Sequence, residues 1–144
     1  MVSSPSADTT RALAGAQVLI VEDNCLLLMD LEEVLLEAGA DGVRACRTVE
    51  DALRVSENDG ISAAVLDVRI GADSIAPVAR KLAARGKPFL FYTGQLGNDP
   101  IVTEWPNCKT ISKPALPQVI VNAVAELLRE QADQAEPAHQ TSAS

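Results

Sequence analysis

Histidine is almost missing from this chain of 144 residues. His139 is the one imidazole, and it stands in a polar C-terminal stretch. A Ser-His-Asp or Cys-His hydrolase, a histidine-ligated zinc site and a module that carries phosphate on histidine are thereby excluded. Basic excess is missing too. The net charge is −8, and no Lys/Arg stripe is available to neutralise nucleic-acid phosphates or an anionic membrane surface. No apolar run approaches the ~20 residues that span a bilayer. No Gly-x-Gly-x-x-Gly follows the first apolar run, which argues against a dinucleotide fold. The cysteines, Cys25, Cys46 and Cys108, are odd in number and fit no zinc spacing. They read as small apolar residues, with a redox role for Cys25, near a helix start, as the alternative. Met1 to Thr10 is Ser-rich without an apolar h-region, unlike a secretory signal. The expectation is a soluble, cytoplasmic protein with no nucleic-acid or membrane partner.

Three short, mainly apolar runs and a fourth short strand organise what is present: residues 17–21, 63–66 and 89–92, and 108–111 for the fourth. A further edge strand is expected near Gly42–Ala45. Between the runs lie helical patterns. Leu27, Leu31, Val34 and Leu35 fall on one face, with Asp23 or Asn24 as N-cap and Gly39 as C-cap. Thr48 and Asp51 form a capping-box-like pair for a second helix. A third runs from about Ile75 to Ala84, with Pro77 in its first turn and Gly86 as its stop. Residues 94–107, with Gly94, Gly97, Pro100 and Pro106, leave room for only a short fourth helix. The last helix carries Ile120, Val124, Leu127 and Leu128 on one face. Apolar strands alternating with amphipathic helices predict an α/β fold with a parallel sheet covered on both faces. Five strands in this length suit a flavodoxin-like, doubly wound domain. Its expected extent is 16–131, between polar tails at 1–15 and 132–144 that read as disordered. No second domain is expected.

Chemistry-bearing residues stand where the apolar runs end. Glu22 and Asp23 close the first, Asp67 the second, Thr93 the third, and Lys113 follows the fourth. Each alone has an ordinary reading: Asp23 as a helix cap, Glu22 as a solvated loop residue, Asp67 as a turn cap, Thr93 as a strand end, Lys113 as surface charge. Their order favours a shared role, because ligands bind outside the carboxyl ends of the strands in such sheets. Gathered carboxylates repel by up to ~4 kcal/mol per pair at an effective dielectric of about 20. Mg²⁺, which takes oxygen ligands and keeps several waters, relieves that repulsion. Asp67, kept ionised by the metal and Lys113, can act as a carboxylate nucleophile toward a phosphoryl group. The metal and ammonium would then neutralise the transferring oxygens, and Thr93 would donate a hydrogen bond to one. A haloacid-dehalogenase-type phosphatase would need a second acid two residues after the nucleophile, where this chain has Arg69.

The runs V-L-I-V-E-D-N, V-L-D-V, Y-T-G and S-K-P together resemble the receiver domain of two-component response regulators, the CheY-like family, over about residues 16–130. The stretch Pro88 to Gly94 also resembles the FAT GUY receivers, a subgroup with a Phe-x-Thr-Gly motif and a reduced fourth helix. The resemblance implies strand order 2-1-3-4-5 and makes Asp67 the phosphoacceptor. It places Asp23, Asp67, the backbone carbonyl of Arg69 and, often through water, Glu22 around Mg²⁺. Thr93 becomes the switch hydroxyl and Lys113 the phosphoryl contact. A cis peptide is expected between Lys113 and Pro114. A histidine kinase or histidine phosphotransfer protein is the implied donor. The output would be a contact with a downstream protein, or the drainage of phosphoryl groups as a sink. A homodimer paired through the last helix–strand–helix face stays open. The implied role is that of a signalling receiver and not an enzyme. The alternative is a receiver-like interaction module that works without phosphorylation.

The chain departs from the pattern at Thr110, where many receivers carry an aromatic residue, which argues against a rotamer switch coupled to Thr93. Tyr92 should face away from Thr93 and serve packing. Segment 94–107 is expected to be mobile and to be reshaped by phosphorylation. Arg69 and Gln95 should flank the pocket. Arg69 has two readings: a contact to an acidic partner or shield for the acyl phosphate, and a solvated loop arginine.

Overall fold

The computed structural model describes residues 12–94 and 99–143, with side chains at 102 and from 135 onward left out. Five strands form one sheet: β1 (Gln17–Val21), β2 (Gly42–Cys46), β3 (Ala63–Leu66), β6 (Phe89–Thr93) and β7 (Thr110–Ser112). Their order is β2-β1-β3-β6-β7 and every pairing is parallel. Two further strands, β4 (Arg69–Ile70) and β5 (Asp73–Ser74), make a separate antiparallel hairpin. Without the hairpin, the order is the expected 2-1-3-4-5 of a flavodoxin-like fold.

Period-two alternation divides the core. Val18, Ile20, Ala63, Val65, Leu90 and Tyr92 face one layer, packed on α1 (Cys25–Glu37) and α5 (Pro117–Ala143). Leu19, Val21, Ala64, Leu66, Phe89 and Phe91 face the other, packed on α2 (Val49–Val55), α3 (Ala76–Ala84) and Ile101 of α4 (Pro100–Glu104). The strands read as continuous apolar runs because both faces are covered. Tyr92 lies in the α1/α5 layer, on the side that strand alternation predicted.

The caps follow local chemistry. Asn24 Oδ1 accepts from Leu27 N–H at 3.1 Å and starts α1, which leaves Asp23 free of that task. Thr48 Oγ1 accepts from Asp51 N–H at 3.1 Å and starts α2. The buried stripe of α1 is Leu28, Leu31 and Leu35, with Leu27 and Val34 at its margin. Gly39, with φ of 100°, terminates it. The fourth helix is short, as expected.

Three expectations differ from what is observed. Leu13, inside the expected N-terminal tail, is fully buried and donates its N–H to Ala38 O at 3.0 Å. The stretch from Arg69, read from the sequence as a loop residue, to Ser74 forms the β4–β5 hairpin, pinned by buried Val68 and Ile70 and turned at Gly71, whose φ is 63°. Helix α5 continues through Ala143, past the boundary expected at 131. Ala, Gln and Glu there have good helix propensity, so propagating an established helix costs little. Gln95 and the glycine at 97 lie outside the described residues, as do residues 1–11. Among the described residues, no helix is long and apolar enough to cross a membrane.

Candidate functional site

The parallel ladder continues one residue beyond the strands, and this carries the site residues to one rim. Glu22 N–H donates to Cys46 O at 3.0 Å, Asp67 N–H to Val21 O at 3.0 Å, and Lys113 N–H to Thr93 O at 3.0 Å. Glu22, Asp67 and Lys113 therefore sit side by side, although Glu22 and Lys113 are 91 positions apart in the chain. The Lys113–Pro114 peptide is cis.

Lys113 Nζ donates to Glu22 Oε1 at 2.7 Å and to Asp67 Oδ2 at 2.8 Å. Glu22, Asp67 and Thr93 are buried, while Asp23 is exposed. The carboxylates of Glu22, Asp23 and Asp67 each bring one oxygen to within 4.8 Å of the others. Burial pushes the Glu22 carboxyl above its ordinary pKa, against the lowering effect of Lys113 and of Asn24 N–H, which donates to Oε2 at 3.0 Å. For Lys113, burial pulls the pKa down, but hydrogen bonds to Asp67 and Glu22 outweigh it and the net shift is upward. The ammonium thus stays charged between its two partners. It also lies 5.6 Å from the centre of the Tyr92 ring, a distance at which the ring face attracts a cation. Tyr92 is itself held by Ala115 N–H, which donates to its Oη at 3.1 Å.

A cavity of about 360 Å³ opens over this rim, lined by Asp23, Asp67, Arg69, Thr93, Gly94 and Lys113. A larger cleft of about 530 Å³ lies elsewhere, beside Phe89 and Trp105, and contains none of these groups. The smaller cavity holds the chemistry. Three carboxylates against one ammonium leave negative charge uncompensated, and the donors are all hard oxygens. That set suits a small divalent cation of the Mg²⁺ type.

Glu22, Asp23, Asp67, Arg69, Thr93 and Lys113, named from the sequence, are at this rim, while Gln95 lies outside the described residues. Several contacts around them were not foreseen. Gly71 N–H donates to Asp23 Oδ2 at 2.8 Å and orients that carboxylate. The Arg69 side chain is 42% exposed and also has a partner within the chain. Its Nε–H donates to Asp99 Oδ2 at 2.9 Å. Asp99 is buried, and its Oδ1 accepts from Ile101 N–H at 3.1 Å, capping α4. An Asp directly before a first-turn proline is a helix-cap signal that the sequence carries at Asp99-Pro100.

No protein-family profile and no curated protein matches the chain. Solved structures do. A response regulator receiver protein from Sinorhizobium medicae WSM419 superposes with TM-score 0.73 at 23% identity, covering 81% of this chain and 97% of that one. A CheY-like receiver domain protein from Methanospirillum hungatei JF-1 gives TM-score 0.74 at 22% identity, covering 83% and 98%. The BeF3-activated conformation of SdrG from Pseudomonas melonis Fr1 gives TM-score 0.65 at 38% identity, covering 80% and 98%. The first two establish the shared fold, and the third adds sequence identity well above that level over nearly its whole length. Together with the rim just described, they show that the chain belongs to the CheY-like response regulator receiver domains.

Proposed function

We propose that this receiver accepts a phosphoryl group on Asp67 in a Mg²⁺-dependent reaction and signals through a protein contact. The observation that carries the reading is the bridging ammonium of Lys113, 2.7 Å from Glu22 and 2.8 Å from Asp67, beside the exposed carboxylate of Asp23. A structural ion pair would need one carboxylate. Three around a single ammonium, at the mouth of a cavity, are poised for a further cation and for an incoming anion.

The metal would be held by Asp23, Asp67 and the backbone carbonyl of Arg69, with Glu22 assisting. When bound, it supplies countercharge to the carboxylates and to the phosphoryl oxygens. A histidine kinase or phosphotransfer protein would present a phosphohistidine at the cavity. A carboxylate oxygen of Asp67 attacks phosphorus, forming the O–P bond as the P–N bond breaks. The electron pair of that bond goes to the imidazole nitrogen, which takes up a proton from water. Lys113 neutralises charge on the phosphoryl oxygens, and Thr93 donates its hydroxyl to one of them. Hydrolysis of the acyl phosphate resets the site. The chain acts as a signalling receiver and not as an enzyme on an outside substrate, with a phosphate sink as the variant in which no downstream contact forms.

Radiolabel transfer from a panel of histidine kinases, with and without Mg²⁺, tests this. Wild type should take label only with the metal, and Asp67→Asn should take none. Label retained by the Asn variant moves the acceptor elsewhere. No labelling by any kinase, with no response to beryllofluoride, favours a module that docks without phosphorylation.

A further inference from the structure

Arg69 serves two places at once. It lines the cavity that holds Asp67, Thr93 and Lys113, and its Nε–H is given to Asp99. Asp99 has a side chain only 6% exposed, whereas that of Arg69 is 42% exposed. Arg69 can therefore move, and Asp99 cannot reach water if it does.

Helix α4 depends on that carboxylate. It has five residues, too few to be stable by their own hydrogen bonds. Its start is capped by Asp99, and Ile101 is buried against the β6 layer. Its far end is tied separately, by Arg80, whose Nε–H and Nη2–H donate to the two oxygens of Glu104 at 2.8 and 3.0 Å. Trp105, the sole tryptophan of the chain, follows directly and packs edge-on against Phe89 and Phe91. The two ends of α4 thus hang on two ion pairs, and only the first borders the acidic rim.

We propose that Arg69 is a latch: a phosphoryl group on Asp67 draws its guanidinium off Asp99, and the first turn of α4 loosens with Trp105. The inference rests on the phosphoryl reading of Asp67. A phosphoryl group brings close to two negative charges and three acceptor oxygens into the cavity, and arginine matches such oxygens in a bidentate fashion. Asp99 then keeps only the Ile101 N–H. A buried carboxylate without its cation is strongly disfavoured, so the cap opens toward water and signals the state of Asp67 to the surface around α4.

Amide hydrogen exchange, amide NMR and Trp105 fluorescence on the full chain test the latch, with beryllofluoride and Mg²⁺ as the phosphoryl probe. Shifts at Gly94 and Lys113 report occupancy. In wild type the probe should speed exchange at Ile101 by roughly 10- to 100-fold, the loss expected for one charged hydrogen bond, and should change the Trp105 emission. Arg69→Gln should show the fast exchange without probe, and the probe should add little, whereas Asp99→Asn keeps a capping oxygen without a charge to strand and should exchange slowly with and without probe. Shifts at Gly94 and Lys113 with Ile101 and Trp105 unmoved overturn the latch and leave the phosphoryl reading standing. Slow exchange at Ile101 in free Arg69→Gln overturns it as well. No shift at Gly94 or Lys113 removes the phosphoryl reading and the latch with it.

Discussion

Lys113→Met exchanges an ammonium for an apolar side chain of similar reach. The lost charge sits 2.7 Å from a Glu22 oxygen and 2.8 Å from an Asp67 oxygen, on side chains 3% and 10% exposed. Two buried carboxylates are then left side by side without countercharge. Removing one partner of a buried pair costs about 3–5 kcal/mol. Lys113 is 22% exposed, so water reaches the site from its side and the lower end, about 3 kcal/mol, applies. At ~2.1 cal/mol/K of unfolding entropy per residue and roughly 120 folded residues, that lowers Tm by about 12 °C. Adding Glu22→Gln should return about 1 kcal/mol or more, because one of the two stranded charges is gone. Mg²⁺ should return part of the loss in the single variant, since it binds the folded cluster and not the unfolded chain. Urea unfolding at neutral pH, followed by Trp105 emission and by far-UV circular dichroism, measures all of these. A loss below about 1 kcal/mol, with no gain in the double variant, refutes the claim that this ammonium neutralises both carboxylates.

Other expectations follow from single contacts. Burial raises the Glu22 pKa above its ordinary 4.5. Between 4.5 and the raised value the folded chain holds more protons than the unfolded one, so the stability that this group contributes falls as pH rises through that window. Metal-free unfolding at several pH values should show wild type losing ground to Glu22→Gln as pH rises, and the opposite trend contradicts the assignment. Tyr92→Phe leaves Ala115 N–H without its 3.1 Å partner and should cost about 1 kcal/mol by urea midpoint; a neutral change shows that the hydroxyl only fills space. Cys25 is exposed, Cys46 is buried and pushed up by burial, and Cys108 is pushed up to about 12 by burial. A disulfide reagent at mildly alkaline pH should therefore react quickly with Cys25 alone, and fast loss of two or three thiols contradicts that order.

Much of the fold was readable in short stretches. Residues 18–21, 63–66 and 89–92 announce a doubly covered sheet by being apolar at every position. Thr48 with Asp51, and Gly39 after α1, mark helix ends through contacts of three or four residues. The acidic rim was readable for a related reason: Glu22, Asp67, Thr93 and Lys113 each stand at the end of such a run, and a parallel sheet points those ends the same way. Arg69 was not readable. Its partner, Asp99, is 30 positions away, and a solvated arginine and a paired one look alike in the chain. The hairpin at 69–74 was hidden because two-residue strands carry too little pattern to separate from a loop.

The sequence by itself determined the five strands of the main sheet, the existence of the helices between them, and which side chains end those strands, because capping and period-two burial act within a few residues of chain. Only the tertiary structure decided the register that sets Lys113 between Glu22 and Asp67, the Gly71 amide that aims Asp23, and the sharing of Arg69 between Asp99 and the rim. Those depend on how distant segments lie against one another, and distances of 2.7 to 2.9 Å are set by the packing of both layers onto the sheet rather than by any local pattern.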